Sequence, residues 1–85
     1  MHYIYVLYSK TQNKFYIGLT NNLKRRFFEH KRNKVYTTYR MKTPKMAYVE
    51  ICISKLDAQN REKQLKTGFG RGYLRRRLKN FLMGM

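Results

Sequence analysis

Two aromatic and β-branched runs, residues 3–8 (YIYVLY) and 14–18 (KFYIG), flank the five polar residues Ser9 to Asn13, and this spacing constrains the fold more than any other feature of the chain. Such runs suit the pleated, half-buried surface of a sheet. A connection this short joins antiparallel neighbours as a hairpin. Alternate residues of a strand share a face, so Tyr3, Tyr5 and Leu7 fall together on the first strand, and Lys14, Tyr16 and Gly18 on the second. Tyr5 and Tyr16 meet on one side of the sheet if the register allows it, and a slip of one residue would separate them.

Further along, Thr20 or Asn21 is a suitable N-cap for a helix running to about residue 31, with Leu23 and Phe27 on its inner face and Asn22, Arg26 and His30 on a second stripe. Residues 31–44 (KRNKVYTTYRMKTP) are polar and basic and end at Pro44, which predicts a loop with at most a short helical turn. Residues 46–53 (MAYVEICI) read as a third strand. Ser54 and Asp57 have capping-box spacing and open a helix to about Thr67. Gly68 is expected to stop that helix, with GFGRG turning the chain into a last helix over 71–82. The expected fold class is α/β: a small three-stranded antiparallel sheet packed with helices in one domain over residues 1–85.

Twenty Lys and Arg against four Asp and Glu leave a net charge of +16 on 85 residues. A surplus of this size is self-repulsive and points to a polyanionic partner, with nucleic acid leading. The basic residues are spread along the whole chain and no stretch is long and apolar enough for a spanning helix, so no membrane partner is expected. The hydrophobic fraction of 42% belongs to a folded domain and not to a basic tail. Cys52 is the only cysteine, which fits a reducing cytoplasm, and the first residues lack the features of a signal peptide. With His2, His30 and Cys52 as the only nitrogen and sulfur ligands, a Cys/His zinc site cannot be built within one chain. A metal would be held through oxygen, as Mg²⁺ or Mn²⁺.

Four acids restrict the choice of chemistry. Glu62 continues the stripe Ala58, Glu62, Leu65, Phe69, which faces the interior or a cleft. Its carboxylate either pairs with a Lys or Arg or holds a metal that also touches phosphate. Glu50 reads as a solvated strand residue, Asp57 as a capping residue, and Glu29 lies beside the Arg26/His30 stripe. Arg26 and His30 are close enough on one helix face to contact one phosphate, the guanidinium gripping two oxygens and the imidazole exchanging a proton near neutral pH. A plain basic helix surface is the alternative. Tyr5 and Tyr16 are either core aromatics or, beside cations, phenols usable in proton transfer.

Order and spacing unite these residues. Tyr3-Ile4-Tyr5, then Tyr16-Ile17-Gly18, then Arg26, His30 and a helix carrying Glu62 resemble the GIY-YIG nuclease family from residue 3 to about 82. The chain is most similar to small standalone bacterial members, which share the Thr-Asn-x-Leu-x-x-Arg segment after the second motif and the Arg-Glu-Lys-Gln-Leu-Lys segment, here 61–66. It also resembles the amino-terminal nuclease domain of the excision-repair endonuclease. The resemblance implies Tyr5 as general base, Tyr16 orienting water or phosphate, Arg26 stabilising the transition state, His30 aiding proton transfer, and Glu62 holding one divalent ion. Tyr3, Ile4, Ile17 and Gly18 would be structural positions of the two motifs, Gly18 allowing close backbone approach. Tyr3 stands where the first motif has its glycine, and no counterpart is assigned to Asn80.

The expectation is therefore a Mg²⁺- or Mn²⁺-dependent endonuclease acting on DNA with little intrinsic sequence preference, structure-selective or engaged in repair or recombination. Lys14, Arg25, Lys66, Arg71, Arg75 and Arg76 are expected on the phosphate backbone. The alternative is an inactive or partner-dependent basic module that binds nucleic acid. DNA and RNA are not distinguished. A monomer is expected, with room for a targeting protein partner.

Overall fold

The computed structural model describes residues 1–31 and 44–84. Strand β1 (His2–Ser9) is the middle strand of a three-stranded antiparallel sheet, paired with β2 (Lys14–Thr20) on one side and β3 (Pro44–Cys52) on the other. Helix α1 (Leu23–Lys31) follows β2, and α2 (Lys55–Leu65), α3 (Gly68–Arg77) and α4 (Lys79–Met83) follow β3. This is the expected α/β arrangement of a small antiparallel sheet packed with helices. Among the described residues no helix is long and apolar enough to cross a membrane.

The hairpin closes through Asn13, which adopts a left-handed φ of 52° that Asn tolerates better than most residues. Its Oδ1 accepts from the Tyr8 hydroxyl at 2.7 Å. Pairing of Tyr5 with Gly18 and of Leu7 with Tyr16 sets the register. Both faces of β1 are sealed: Ile4 and Val6 join Ile17, Ala58, Leu65, Leu74 and Leu78 in the main core, while Tyr5 and Leu7 pack with Tyr16, Leu23, Met46 and Val49 on the opposite face. Met46 and Val49 are three apart and would face opposite ways on a regular strand. A bulge solves this, because Val6 pairs with Tyr48 and Leu7 with Met46, leaving Ala47 as the extra residue.

Several local expectations are corrected. Pro44 opens β3 instead of closing a loop; as the first residue of an edge strand it has no ladder N–H to forfeit. The rest of the expected loop, residues 32–43, lies outside the described residues. Helix α1 is capped by Asn22, not Thr20 or Asn21, its Oδ1 accepting from the Arg25 N–H at 3.0 Å. Thr20 makes the preceding turn, its Oγ1 accepting from the Asn22 N–H. Phe27 is 39% exposed, so Leu23, Arg26 and His30 form the inward stripe of α1. GFGRG is helical: Thr67 caps α3 through a bond from the Gly70 N–H, and the expected single helix over 71–82 is broken at Leu78. Phe69 is thereby carried off the Ala58–Glu62–Leu65 stripe and is exposed.

Glu50 is partly buried and paired, not freely solvated. Arg61 grips it with two bonds of 2.8 and 2.9 Å, the Tyr48 hydroxyl donates to it at 2.7 Å, and the guanidinium stacks 4.8 Å from the centre of the Tyr73 ring. The pairing with Arg61 holds the Glu50 carboxyl below its ordinary range, against the opposing effect of burial. This cluster fastens α2 and α3 to β3.

The α2–α3 corner depends on Gly70, where a Cβ would run into the Leu65 backbone. Gly70→Ala should therefore lower unfolding free energy by about 1–3 kcal/mol, because the obstruction is main chain and cannot rotate aside. Denaturant unfolding of Gly70→Ala beside Gly72→Ala, whose Cβ meets only the far end of the Arg76 side chain, checks this.

Candidate active site

On the second face of β1 four of the residues singled out in the sequence come together. Tyr5 and Tyr16 lie on the same side of the sheet with ring centroids 6.2 Å apart, and His30 stands edge-on to both, at 5.3 and 5.1 Å. Tyr5 is fully buried and its ring lies over Gly18, where a Cβ would clash with the Tyr5 Cζ and Oη. The glycine of the second motif is thus the seat of the tyrosine of the first.

The proton positions follow from who can donate. Arg26 has donors only, so its Nε–H donates to the Tyr5 oxygen, at 3.1 Å. Burial, helped by the positive charge of Arg26 and opposed by Glu29, pushes the His30 pKa down to about 4, leaving the ring neutral near pH 7. Burial is also the largest effect on Tyr5, whose pKa is pushed up to about 12 despite the Arg26 hydrogen bond. The Tyr5 hydroxyl therefore keeps its proton and donates it to His30 Nε2 at 2.7 Å. The result is a directed chain, Arg26 to Tyr5 to His30. Glu29, which the sequence left beside the stripe, holds the other arm of Arg26 at 3.4 Å. The i, i+3 spacing of Arg26 and Glu29 was the available signal.

Glu62 is not in this cluster. It sits on α2, whose Ala58 and Leu65 pack on the opposite face of the sheet, and it pairs with Lys66 at 3.3 Å. Lys66, Arg71 and Tyr16 nevertheless line one cavity of about 230 Å³ at the β2 edge, together with Phe15 and Ile17. Tyr16 of the cluster and Lys66, the partner of Glu62, thus both border the β2 edge. Arg25 and Arg26 line a second hollow with Thr20, Asn21 and Lys55. Arg75 reaches the hairpin, donating to Asn13 Oδ1 at 3.2 Å and lying over the Phe15 ring, while Lys14 and Arg76 are exposed. Tyr3 and Ile4 lie on β1 and Ile17 on β2.

Among the described residues no three His, Cys, Asp or Glu side chains gather as a ready-made metal cage. Glu62 alone still fits a hard divalent ion. Its carboxylate is only partly buried, and its Lys66 partner, the residue that caps the end of α2, has a more exposed side chain that can swing away. Mg²⁺ is commonly bound by one or two carboxylates with water and substrate phosphate completing the shell.

The chain matches the GIY-YIG catalytic domain family over residues 1–77. It is 44% identical over 68 residues to a UPF0213 protein of Limosilactobacillus reuteri (strain DSM 20016), an alignment covering 76% of this chain and 70% of that protein. No solved structure matches it.

The buried, neutral imidazole has a measurable consequence. The unfolded chain takes up the His30 proton near pH 6.5 and the folded chain only near pH 4, so stability is complete above the first value and declines as pH falls towards the second. Between about pH 7.5 and about pH 5 the loss should reach about 2 kcal/mol. Denaturant unfolding at both pH values, with His30→Gln as a variant lacking the loss, tests this, and an NMR titration of the His30 ring with a midpoint near that of free histidine would refute it.

Proposed function

We propose, from the premise that this chain belongs to the GIY-YIG family, that it is a divalent-metal-dependent endonuclease hydrolysing DNA phosphodiester bonds in the cytoplasm with little sequence preference. The family domain is a nuclease domain. The observation that carries the finer reading is the Tyr5 hydroxyl, held between the Arg26 Nε–H at 3.1 Å and a neutral His30 Nε2 at 2.7 Å.

In this reading a water oxygen attacks phosphorus in line with the departing sugar oxygen. Arg26 turns aside to open the fully buried Tyr5 Oη to the water, which gives it a proton as Tyr5 passes its own to His30 Nε2. In this hand-over no free phenolate forms; the imidazolium it leaves is opposed by the burial that lowers the His30 pKa, and the negative phosphate beside it offsets that cost. Arg26 leaves Glu29 to contact the phosphate and offset the charge that builds on its oxygens. Tyr16, beside both Tyr5 and His30, orients the water or the phosphate. Glu62 would hold the metal, Mg²⁺ or Mn²⁺, which when bound supplies a positive charge against the leaving oxygen. Lys66 and Arg71 by the β2 edge, with Lys14, Arg25, Arg75 and Arg76, hold the flanking phosphates. An inactive nucleic-acid-binding module is disfavoured by the assembled Arg26–Tyr5–His30 chain, which binding alone does not need.

The test is cleavage of labelled duplex, single-stranded, flap and branched DNA in Mg²⁺, in Mn²⁺ and in chelator. Tyr5→Phe should slow cutting by roughly 10²- to 10⁴-fold. Arg26→Ala should cost about 10²- to 10³-fold in rate but no more than one phosphate contact in affinity. Glu62→Gln should abolish metal-dependent cutting while DNA binding holds. Cutting that survives all three substitutions would overturn the assignment. Binding in chelator should weaken steeply with salt, with a slope of log K on log salt of about −4 to −5 if about five phosphates are neutralised.

A further inference from the structure

Beside the tyrosine cluster lies an open, mainly apolar hollow of about 560 Å³, walled by Tyr3, Leu23, Phe27 and Met46, with the exposed Asn21 and Lys24 also lining it. Its volume is in the range of about 300–1,000 Å³ usual for small-molecule sites. Leu23 and Met46 pack directly against Tyr5 and Leu7, so the hollow adjoins the reacting groups. It shares α1 with Arg26 and His30.

Two features select an occupant. The walls include two aromatic rings, Tyr3 and the 39%-exposed Phe27, in a protein of net charge +16. That charge repels a second copy of the chain and favours a polyanion that carries flat apolar groups. We propose that the hollow seats one unpaired nucleobase of the substrate, stacked against Tyr3 and Phe27, while Lys24 and Arg25 hold the adjoining phosphates. Asn21 offers an amide to the base edge. A base inside a duplex must first be unpaired and unstacked to enter, so a substrate already unpaired next to the scissile phosphate is favoured, as in a single strand, a flap or a branch point. This inference rests on the nuclease reading of the adjacent site and names the substrate class for it.

The test uses binding in chelator, so that it does not depend on cleavage. An oligonucleotide carrying a single 2-aminopurine, scanned along its length, is titrated with the protein as a single strand and as a duplex. At one position the fluorescence of the single strand should be quenched, as expected for a base stacked on an aromatic ring, with no such quenching in the duplex. Tyr3→Phe keeps the ring and should retain the quenching. Tyr3→Leu and Phe27→Leu keep the apolar bulk but not the ring; they should abolish it and weaken single-strand binding by about five- to a hundredfold, with duplex affinity unchanged. Thermal melting near that of the unsubstituted protein shows that the variants are folded. Absence of quenching at every position, or quenching that persists in Tyr3→Leu, overturns the proposal even if the protein cuts DNA. Quenching of this kind without cleavage on any substrate would sustain the base site and overturn the nuclease reading.

Discussion

In β1, Ile4 and Val6 are sealed into an apolar core while Tyr5 and Leu7, one residue out of phase, are sealed on the other face. A strand buried on both sides has no solvent face, so each residue is committed to one layer or the other, and a one-residue slip would exchange core for chemistry. The helices divide accordingly. α2 and α3 cover the apolar layer and α1 covers the tyrosines, so the hydrogen bonds at Tyr5 exist only while both layers are in place. Stability and site geometry share one strand.

Much of this was legible because it rests on short-range rules. Aromatic and β-branched runs, a five-residue polar connection and period-two alternation led to the hairpin and to Tyr5 and Tyr16 on one face. What stayed hidden depended on contacts between distant elements. Leu23 and Phe27 suggested an ordinary apolar stripe on α1, but the layer beneath is built of tyrosines, and Arg26 and His30 take the inward positions because polar partners await them there. The helical GFGRG segment contradicts glycine propensity, and its reason is tertiary: Gly70 lets α3 press onto the Leu65 backbone. Glu50 was misread for want of its partner, since nothing local announces that Arg61, eleven residues on, turns back to grip it.

The acids are used economically. Glu29, Glu50 and Glu62 each meet a cation, and Asp57 lies in the first turn of α2, where a negative charge is favourable. Among the described residues only the Glu50 pair is bidentate and joins separate elements, as a structural fastening would. The Glu29 and Glu62 pairs are single contacts three or four residues apart in sequence and partly exposed, cheap to break. Pairs of that kind keep Arg26 and the Glu62 carboxylate positioned without fixing them, and both can turn to a polyanion when one arrives.

The contact between Gly18 and the Tyr5 ring also bears on how this protein can change. One position is defined by a side chain and the other by the lack of one, and they occupy the same volume. A methyl at 18 would push the far end of the Tyr5 ring aside, so substitutions at the two positions are not independent: the harm of enlarging residue 18 depends on what stands at residue 5. A side chain at residue 18 is accommodated either by a ring displaced from Arg26 and His30 or by a smaller residue 5, and each forfeits the hydroxyl between them. The paired positions are epistatic, and change in one motif is felt in the other.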